Sequence, residues 1–347
     1  MSSKKWIFYS LALFFTVIAT IGFINYTIDS LGLLRDGLMD NMARDSAKGK
    51  IIAGVTNFDE RIFRKKQIEC LDKNIDFIAL GSSRIMQLRK NMFLDDGINN
   101  FQNYSVSGAS LEDYMAMIQL HIEKFKRLPK NIIFGLDAWV FNKNSGQNRY
   151  LSLENEYLRF MGNFKSIKKG KLSKNSNIFL YAFSIEYLIK NIKNINLKYY
   201  IAENINVDDY LKMPDGSIYY PYKHRFPDKF EVENIAKTHF YSIDGFKEIS
   251  NTEVFEKLIE YLQFNNVNIY FYLPPYNPVT YDAIMADSRY KIIELVEKYI
   301  KDIALKNNIK VVGSYNPYVY YLKSSNFFDG IHALDDVYSN VFKNLLD

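Results

Sequence analysis

The stretch FIALGSSRIM, residues 77–86, decides how this sequence is read. Four apolar residues, Phe77 to Leu80, run into Gly81, and two hydroxyls follow side by side, Ser82 and Ser83. A short apolar run without polar interruption is the pattern of a strand buried on both faces. The glycine and paired serines then admit two readings. They are the cap of a following helix, or a strand-end turn that displays a nucleophile.

Working outward, strand and helix signals alternate. IDFIAL (75–80) is the first apolar run, FQNYSV (101–106) a weaker second and NIIFGL (131–136) a third. VNIYFYL (267–273), stopped by Pro274 and Pro275, is a fourth, and IKVVG (309–313) a fifth. Between them lie helical stripes. Leu111, Tyr114, Met115, Ile118, Ile122 and Phe125 follow Ser110 as N-cap. Phe255, Leu258, Ile259 and Leu262 follow a capping box of Ser250 and Glu253. Ile292, Ile293, Val296, Ile300 and Ile303 mark another helix, and a last one runs from about Asp335 to the end. NFDERIFRKKQIECLDK (57–73) reads as a leading helix. Such alternation predicts an α/β fold, three layers α/β/α around a parallel five-stranded sheet. Sheets of this kind place their sites just beyond the carboxyl ends of the strands.

With 347 residues, 48% of them hydrophobic and 16% aromatic, the chain can build a large core. The net charge of +5, from 44 basic and 39 acidic residues, is mild and spread out, so no nucleic-acid partner is expected. The single cysteine, Cys70, excludes an intrachain disulfide and any cysteine-based zinc site. No cofactor or metal is expected.

Lys4 and Lys5 precede an uncharged apolar run from Trp6 to Ile24, 19 residues long. As a helix it would measure about 28 Å, close to the hydrocarbon thickness of a bilayer. No small-residue cleavage pattern follows, which favours an uncleaved anchor over a signal peptide. NYTIDSLGLL, just after the span, carries no Lys or Arg. The positive-inside rule then puts the N-terminus in the cytoplasm and the rest outside, as a single-pass cell-membrane protein. The expected divisions are a tail at 1–5, an anchor at 6–25, and a stalk with the leading helix at 26–72. One domain fills 73–347, with an inserted helical and hairpin section at about 145–250. Within the insertion, Asp215-Gly216 reads as a hairpin turn. Lys165, Lys168, Lys169, Lys171 and Lys174 form either a solvated face or a patch for anionic headgroups or polymer. The tyrosines of 197–222 are packing residues or a sugar-stacking surface.

The residues just past each strand carry the chemistry. They are GSSR (81–84), NYSVSGAS (103–110), GLDAW (135–139) and FFDGIHALD (327–335). A serine hydroxyl needs a base, and His332 is suited to that task. Asp329, three residues earlier, can accept the other imidazole N–H, fix the tautomer and stabilise the imidazolium. The N–H groups of Ser83 and Gly108 can hold a developing oxyanion. His121, His224 and His239 lack an aspartate three residues before them.

In these blocks the sequence resembles the SGNH hydrolase superfamily, the GDSL-type esterases, over roughly 75–142 and 267–340. GSSR matches its Gly-Asp-Ser block with Ser82 in place of the aspartate, so the resemblance puts the nucleophile at Ser83. NYSVSG matches the second block, with Gly108 as the oxyanion glycine, and Asp329 and His332 match the terminal Asp-x-x-His. GLDAW departs, because Asp137 stands where the family has an oxyanion-binding asparagine. An ionised carboxylate there would repel the charge, so Asp137 is turned away or has another task, or Trp139 or Asn142 substitutes as donor. Arg84 is expected to pair with a carboxylate at the sheet edge or to bind substrate, and Trp139 and Asn142 are further substrate-binding candidates. The resemblance implies an SGNH-like, flavodoxin-like fold. The GSS block and the anchor look like the membrane-anchored branch, similar to teichoic-acid D-alanylation and alginate and peptidoglycan O-acetylation proteins. That resemblance implies acyl transfer, with an acetyl group as the expected cargo, onto an envelope polysaccharide through an acyl-Ser83 intermediate. It also implies a polytopic membrane-bound O-acyltransferase as partner. The alternatives are an esterase acting on the same glycans and a catalytically weak scaffold that binds a glycan or a partner.

Overall fold

The computed structural model describes residues 3–30, 34, 37–56, 58–93, 100–164, 181–195, 198–238, 240, 242–342 and 345. The five expected runs form strands β2 (Phe77–Leu80), β3 (Phe101–Asn103), β4 (Asn131–Gly135), β8 (Asn268–Leu273) and β9 (Lys310–Gly313). They pair in parallel in the order β3-β2-β4-β8-β9. The chain therefore winds outward in both directions from β2 and β4. The crevice at their carboxyl ends is the topological switch point, where such sheets bind ligands.

Side chains alternate across this sheet because successive residues of a strand point to opposite faces. Ile78, Leu80, Ile132, Phe134, Phe271 and Leu273 pack with the stripes of helices Leu111–Phe125, Thr252–Phe264 and Ile292–Lys306. Phe77, Ala79, Ile133, Tyr272 and Val312 pack on the other side with Ile85, Leu88 and helix Asp335–Val341. The architecture is the expected α/β fold with a five-stranded parallel sheet between layers. Its second outer layer is thin, built from a seven-residue helix and the turn after β2.

Gly81 is explained by close packing. A Cβ there would lie 2.5 Å from Ile85 Cγ2 and 3.1 Å from the Gly135 carbonyl oxygen. Only hydrogen on both strand-end residues lets Ile85 fold back over them. No α-helix follows Ser82 and Ser83; the chain makes a turn, and Ser82 Oγ accepts the Arg84 N–H at 3.1 Å. The helix-cap reading of the two serines is thereby excluded. Strand β3 is shorter than FQNYSV suggested because Asn103 bends the chain. Its Nδ2 donates to the carbonyls of Ile85 (2.9 Å) and Leu88 (3.0 Å), and its Oδ1 accepts the Ser105 N–H (3.0 Å). Ser110 does sit at an N-cap, its N–H donating to Asp113 at 2.9 Å. Ser250 does not: the cap is Asn251, and Ser250 Oγ donates instead to the Phe141 carbonyl at 2.7 Å. A tertiary bond has displaced the local capping box. The last helix stops at Val341.

A second sheet, antiparallel, joins segments far apart in sequence. Its order is β5-β1-β6-β7, with β1 at Ile51–Ala53, β5 at Tyr200–Ala202, β6 at Leu211–Lys212 and β7 at Ile218–Tyr219. Residues that read as a stalk thus supply helix Leu38–Ala47 and a strand held between two strands of the insertion. The Asp215-Gly216 turn joins β6 to β7 as expected. That hairpin docks over the carboxyl ends of the parallel strands: Asn103 N–H donates to Asp215 O at 2.7 Å, and Ile218 N–H to Met86 O at 3.0 Å.

Helix Ser3–Ile28 has a mean hydropathy of 2.3 and lies exposed, long and apolar enough to cross a membrane. Its inner end is tied down by the buried Asn25. Asn25 Nδ2 donates to the carbonyls of Ala182 (2.8 Å) and Ser184 (2.9 Å), and its Oδ1 accepts from Asn191 (3.1 Å). The lysines at 165, 168, 169, 171 and 174 lie outside the described residues.

Candidate active site

Ser83 follows β2, Gly108 follows β3, and Asp329 and His332 lie in the loop beyond β9. The structure brings all four to one edge. His332 Nε2 lies 2.8 Å from Ser83 Oγ, and His332 Nδ1 lies 2.6 Å from Asp329 Oδ2. The other carboxylate oxygen of Asp329 accepts the N–H groups of Ile331 (2.8 Å) and His332 (2.7 Å), which fixes the loop that carries the imidazole. Burial alone would raise the Asp329 carboxyl. The positive charge available to His332 and these hydrogen bonds outweigh burial and hold it at about 2. Asp329 is therefore anionic at neutral pH, as a partner for an imidazolium must be.

The imidazole is also clamped through its faces. Phe328 stacks on His332 with centroids 5.2 Å apart, His224 stacks on Phe328 at 5.7 Å, and Tyr220 of the insertion packs against His332 at 5.7 Å. Tyr220 both packs on His332 and lines the cavity, so it is compatible with either tyrosine reading. Tyr219 lies beneath the Arg89 guanidinium at 3.5 Å.

Ser83, Gly108 and His332 line a cavity of about 460 Å³. Gly108 has φ +55, in the left-handed region that suits glycine. Among the described residues, the N–H groups of Ser83 and Gly108 donate to no protein acceptor. The Gly108 loop is held by helix Glu60–Cys70, within the segment read as the leading helix. Glu60 accepts the Ser107 N–H (2.6 Å) and hydroxyl (2.9 Å), Arg61 makes a two-pronged pair with Asp113 (2.6 and 2.7 Å), and Arg64 donates to the Ser105 carbonyl (3.2 Å). Sequence reasoning missed these three residues. Their signal was charge at 60, 61 and 64, on one side of the helix.

Asp137 is turned away, and its partner is Arg84. Arg84 Nη1 donates to Asp137 Oδ1 at 3.0 Å, both side chains being fully buried. Arg84 Nη2 donates to the carbonyls of Pro274 (2.6 Å) and Pro275 (2.9 Å), and Nε to that of Ile331 (3.0 Å). The guanidinium also lies 4.3 Å from the centre of the Tyr276 ring. Arg84 therefore ties the ends of β2, β4 and β8 to the His332 loop, and neither it nor Asp137 is on the cavity wall. This corrects the substrate-binding reading of Arg84 and the placement of Asp137 in the oxyanion hole. Burial pushes the Asp137 carboxyl up, while the Arg84 charge and the Ser82 hydroxyl pull it down. Trp139 and Asn142 are corrected as well. Trp139 Nε1 donates to the Ala109 carbonyl (3.2 Å), and Asn142 Nδ2 to the carbonyls of Ser242 (3.0 Å) and Asp244 (3.3 Å). Both are buried and away from the cavity.

Fold and site together define a parallel α/β protein with a serine, an imidazole and a carboxylate in one hydrogen-bonded chain at the switch-point edge. No family model and no curated relative matches the chain. The structure is similar to a Bacteroides fragilis chain provisionally described as an acylhydrolase. That similarity has a TM-score of 0.33 and 11% identity, over 79% of this chain and 88% of that one. At that depth it bears on neither reaction nor substrate.

Proposed function

We propose that this protein is a membrane-anchored serine acyltransferase that acts outside the cytoplasm and O-acylates an envelope glycan. The observation that carries the reading is the chain from Ser83 Oγ through His332 to Asp329, 2.8 and 2.6 Å, opening on a cavity beside two N–H groups that have no acceptor among the described residues.

Ser83 Oγ attacks the carbonyl carbon of an acyl donor as its proton passes to His332 Nε2. The oxyanion is held by the N–H groups of Ser83 and Gly108, and Asp329 stabilises the imidazolium. The donor's leaving group departs with the proton from His332, which leaves an ester on Ser83. A sugar hydroxyl then gives its proton to His332 and attacks that ester. The acyl group passes to the sugar and the proton returns to Ser83 Oγ. Water in place of the sugar would make the same machinery an esterase.

The membrane reading is supported by more than helix length. Helix Ile185–Lys193, bound to the end of the N-terminal helix through Asn25 and Asn191, exposes Ile185, Ile189 and Ile192. These positions form one apolar stripe, as on a helix lying at a bilayer surface. A neighbouring polytopic O-acyltransferase would supply the acyl group from the cytoplasmic side.

The test is to incubate the full chain in detergent with an activated acetyl ester and measure intact mass, with Ser83→Ala as control. A Ser83-dependent adduct that a glycan discharges faster than water supports transfer. Discharge by water alone supports the esterase, and absence of an adduct refutes both.

A further inference from the structure

The cavity does not end at the serine. It continues beneath the second sheet, where its walls include Phe58, Phe63, Met86 and Met213 and two buried cations, Arg64 and Lys212. Among the described residues neither cation has a carboxylate within ion-pair distance. Lys212 Nζ donates to the Val55 carbonyl at 2.5 Å and sits 4.8 Å from the centre of the Phe58 ring. Arg64 is held by the Gln67 amide oxygen and by the carbonyls of Ser105 (3.2 Å) and Gly216 (2.7 Å).

Isolated buried charges are expensive, and proteins pair them with opposite charge or with a ligand. Two further donors on the same wall are unpartnered: Arg64 Nε and Ser105 Oγ are buried with no hydrogen-bond partner among the described residues. The acid on this wall, Glu60, is already engaged by the Ser107 N–H and hydroxyl. Arg149 adds a third cation to the lining. Burial pulls the Lys212 amine down to about 8 and Arg64 to about 10, outweighing the upward pull of nearby carboxylates, Glu60 foremost.

We propose that this inner half of the cavity receives a carboxylate, seated on Lys212, Arg64 and Ser105, so that the substrate acyl-transferred at Ser83 is anionic. This rests on the acyl-transfer reading above. Two sources share that chemistry: an acyl group that is the half-ester of a dicarboxylic acid, and an acceptor sugar that bears a carboxylate. The apolar residues that line the same cavity suit the methylenes of the first or the ring of the second.

The test is binding, so it does not depend on turnover. The full chain in detergent, as Ser83→Ala, is titrated calorimetrically with monomethyl succinate against dimethyl succinate, and with methyl glucuronide against methyl glucoside. We expect the acid of one pair to bind at least tenfold more tightly than its neutral partner; the pair that responds identifies the source. Lys212→Met should remove that advantage and Lys212→Arg restore most of it, with circular dichroism checking that each variant is folded. Equal binding of acid and neutral partner in both pairs overturns the proposal, as does an advantage that survives in folded Lys212→Met. If Lys212→Met does not fold, Ser105→Ala replaces it, with an expected loss of threefold or more, and an unchanged advantage there also overturns the proposal. The acyl-transfer reading fails separately, by absence of a Ser83 adduct or by its discharge by water alone.

Discussion

Asp137→Asn separates two accounts of the strand-end aspartate. If position 137 faced the reacting oxygen, asparagine would replace a repelling carboxylate with a donor. A donor of that kind is worth on the order of 10²–10³ in rate. In the structure Asp137 instead neutralises Arg84 in a fully buried pair. Removing one member of such a pair costs about 3–5 kcal/mol, because the other charge is left without compensation. For a chain of this size that lowers the melting temperature by roughly 4–7 °C. Arg84 also holds the Ile331 carbonyl, one residue from His332, so the imidazole should lose alignment rather than gain a better oxyanion hole. The assay pairs thermal unfolding with ester turnover, both in detergent and well below the variant's transition. Expected are a large loss of stability and a fall in kcat/KM. The double variant Arg84→Met/Asp137→Leu should recover much of the stability and none of the activity, since an apolar pair removes both charges together. An Asp137→Asn protein as stable as the parent, with turnover raised a hundredfold, would refute the reasoning.

Ser83→Ala should lower kcat/KM by about 10³-fold or more, whereas Ser82→Ala, which loses a buried turn bond to the Arg84 N–H, should act mainly on stability, by about 1 kcal/mol; ester kinetics and thermal unfolding check both. Asp329 is held at about 2 against an unfolded value of 3.8, so it contributes about 2 kcal/mol above pH 4 that is lost as pH falls from about 4 to 2. Denaturant titrations from pH 6 to 2 should show that loss in the parent and not in Asp329→Asn. With Lys212 titrating near 8, any affinity advantage of the carboxylate probe should shrink from pH 7 to 9.5 while the neutral probe stays flat, a difference that calorimetry at the two pH values reads directly.

The parallel sheet was legible because its strands are continuous apolar runs, a pattern that needs no partner to be recognised. Ser83, Asp329 and His332 were legible because each follows a strand end in a sheet whose topology sends strand ends to one edge. The second sheet was not. Strand β1 has three residues and β6 and β7 two each, too short for any period, and its partners lie about 150 residues apart in sequence. The Ser250 capping box failed for a related reason, since the Phe141 carbonyl that claims its hydroxyl is remote in sequence.

Asp137 shows how such a failure bears on chemistry. Locally it looked like a defect in an oxyanion hole, because only its place after β4 was visible. Its meaning depends on Arg84, 53 residues earlier, whose other hydrogen bonds reach Pro274, Pro275 and Ile331. A guanidinium offers five N–H donors in a rigid fork, and here that fork joins three strand ends to the histidine loop. The carboxylate at 137 supplies the charge that lets this fork be buried. The same site then has two supports of opposite kind. The Arg84–Asp137 pair fixes His332 from beneath, and Glu60, Arg61 and Arg64 fix the Gly108 loop from the leading helix. Of those cations, Arg84 and Arg61 each pair with a carboxylate, whereas among the described residues Arg64, on the cavity wall, pairs with none.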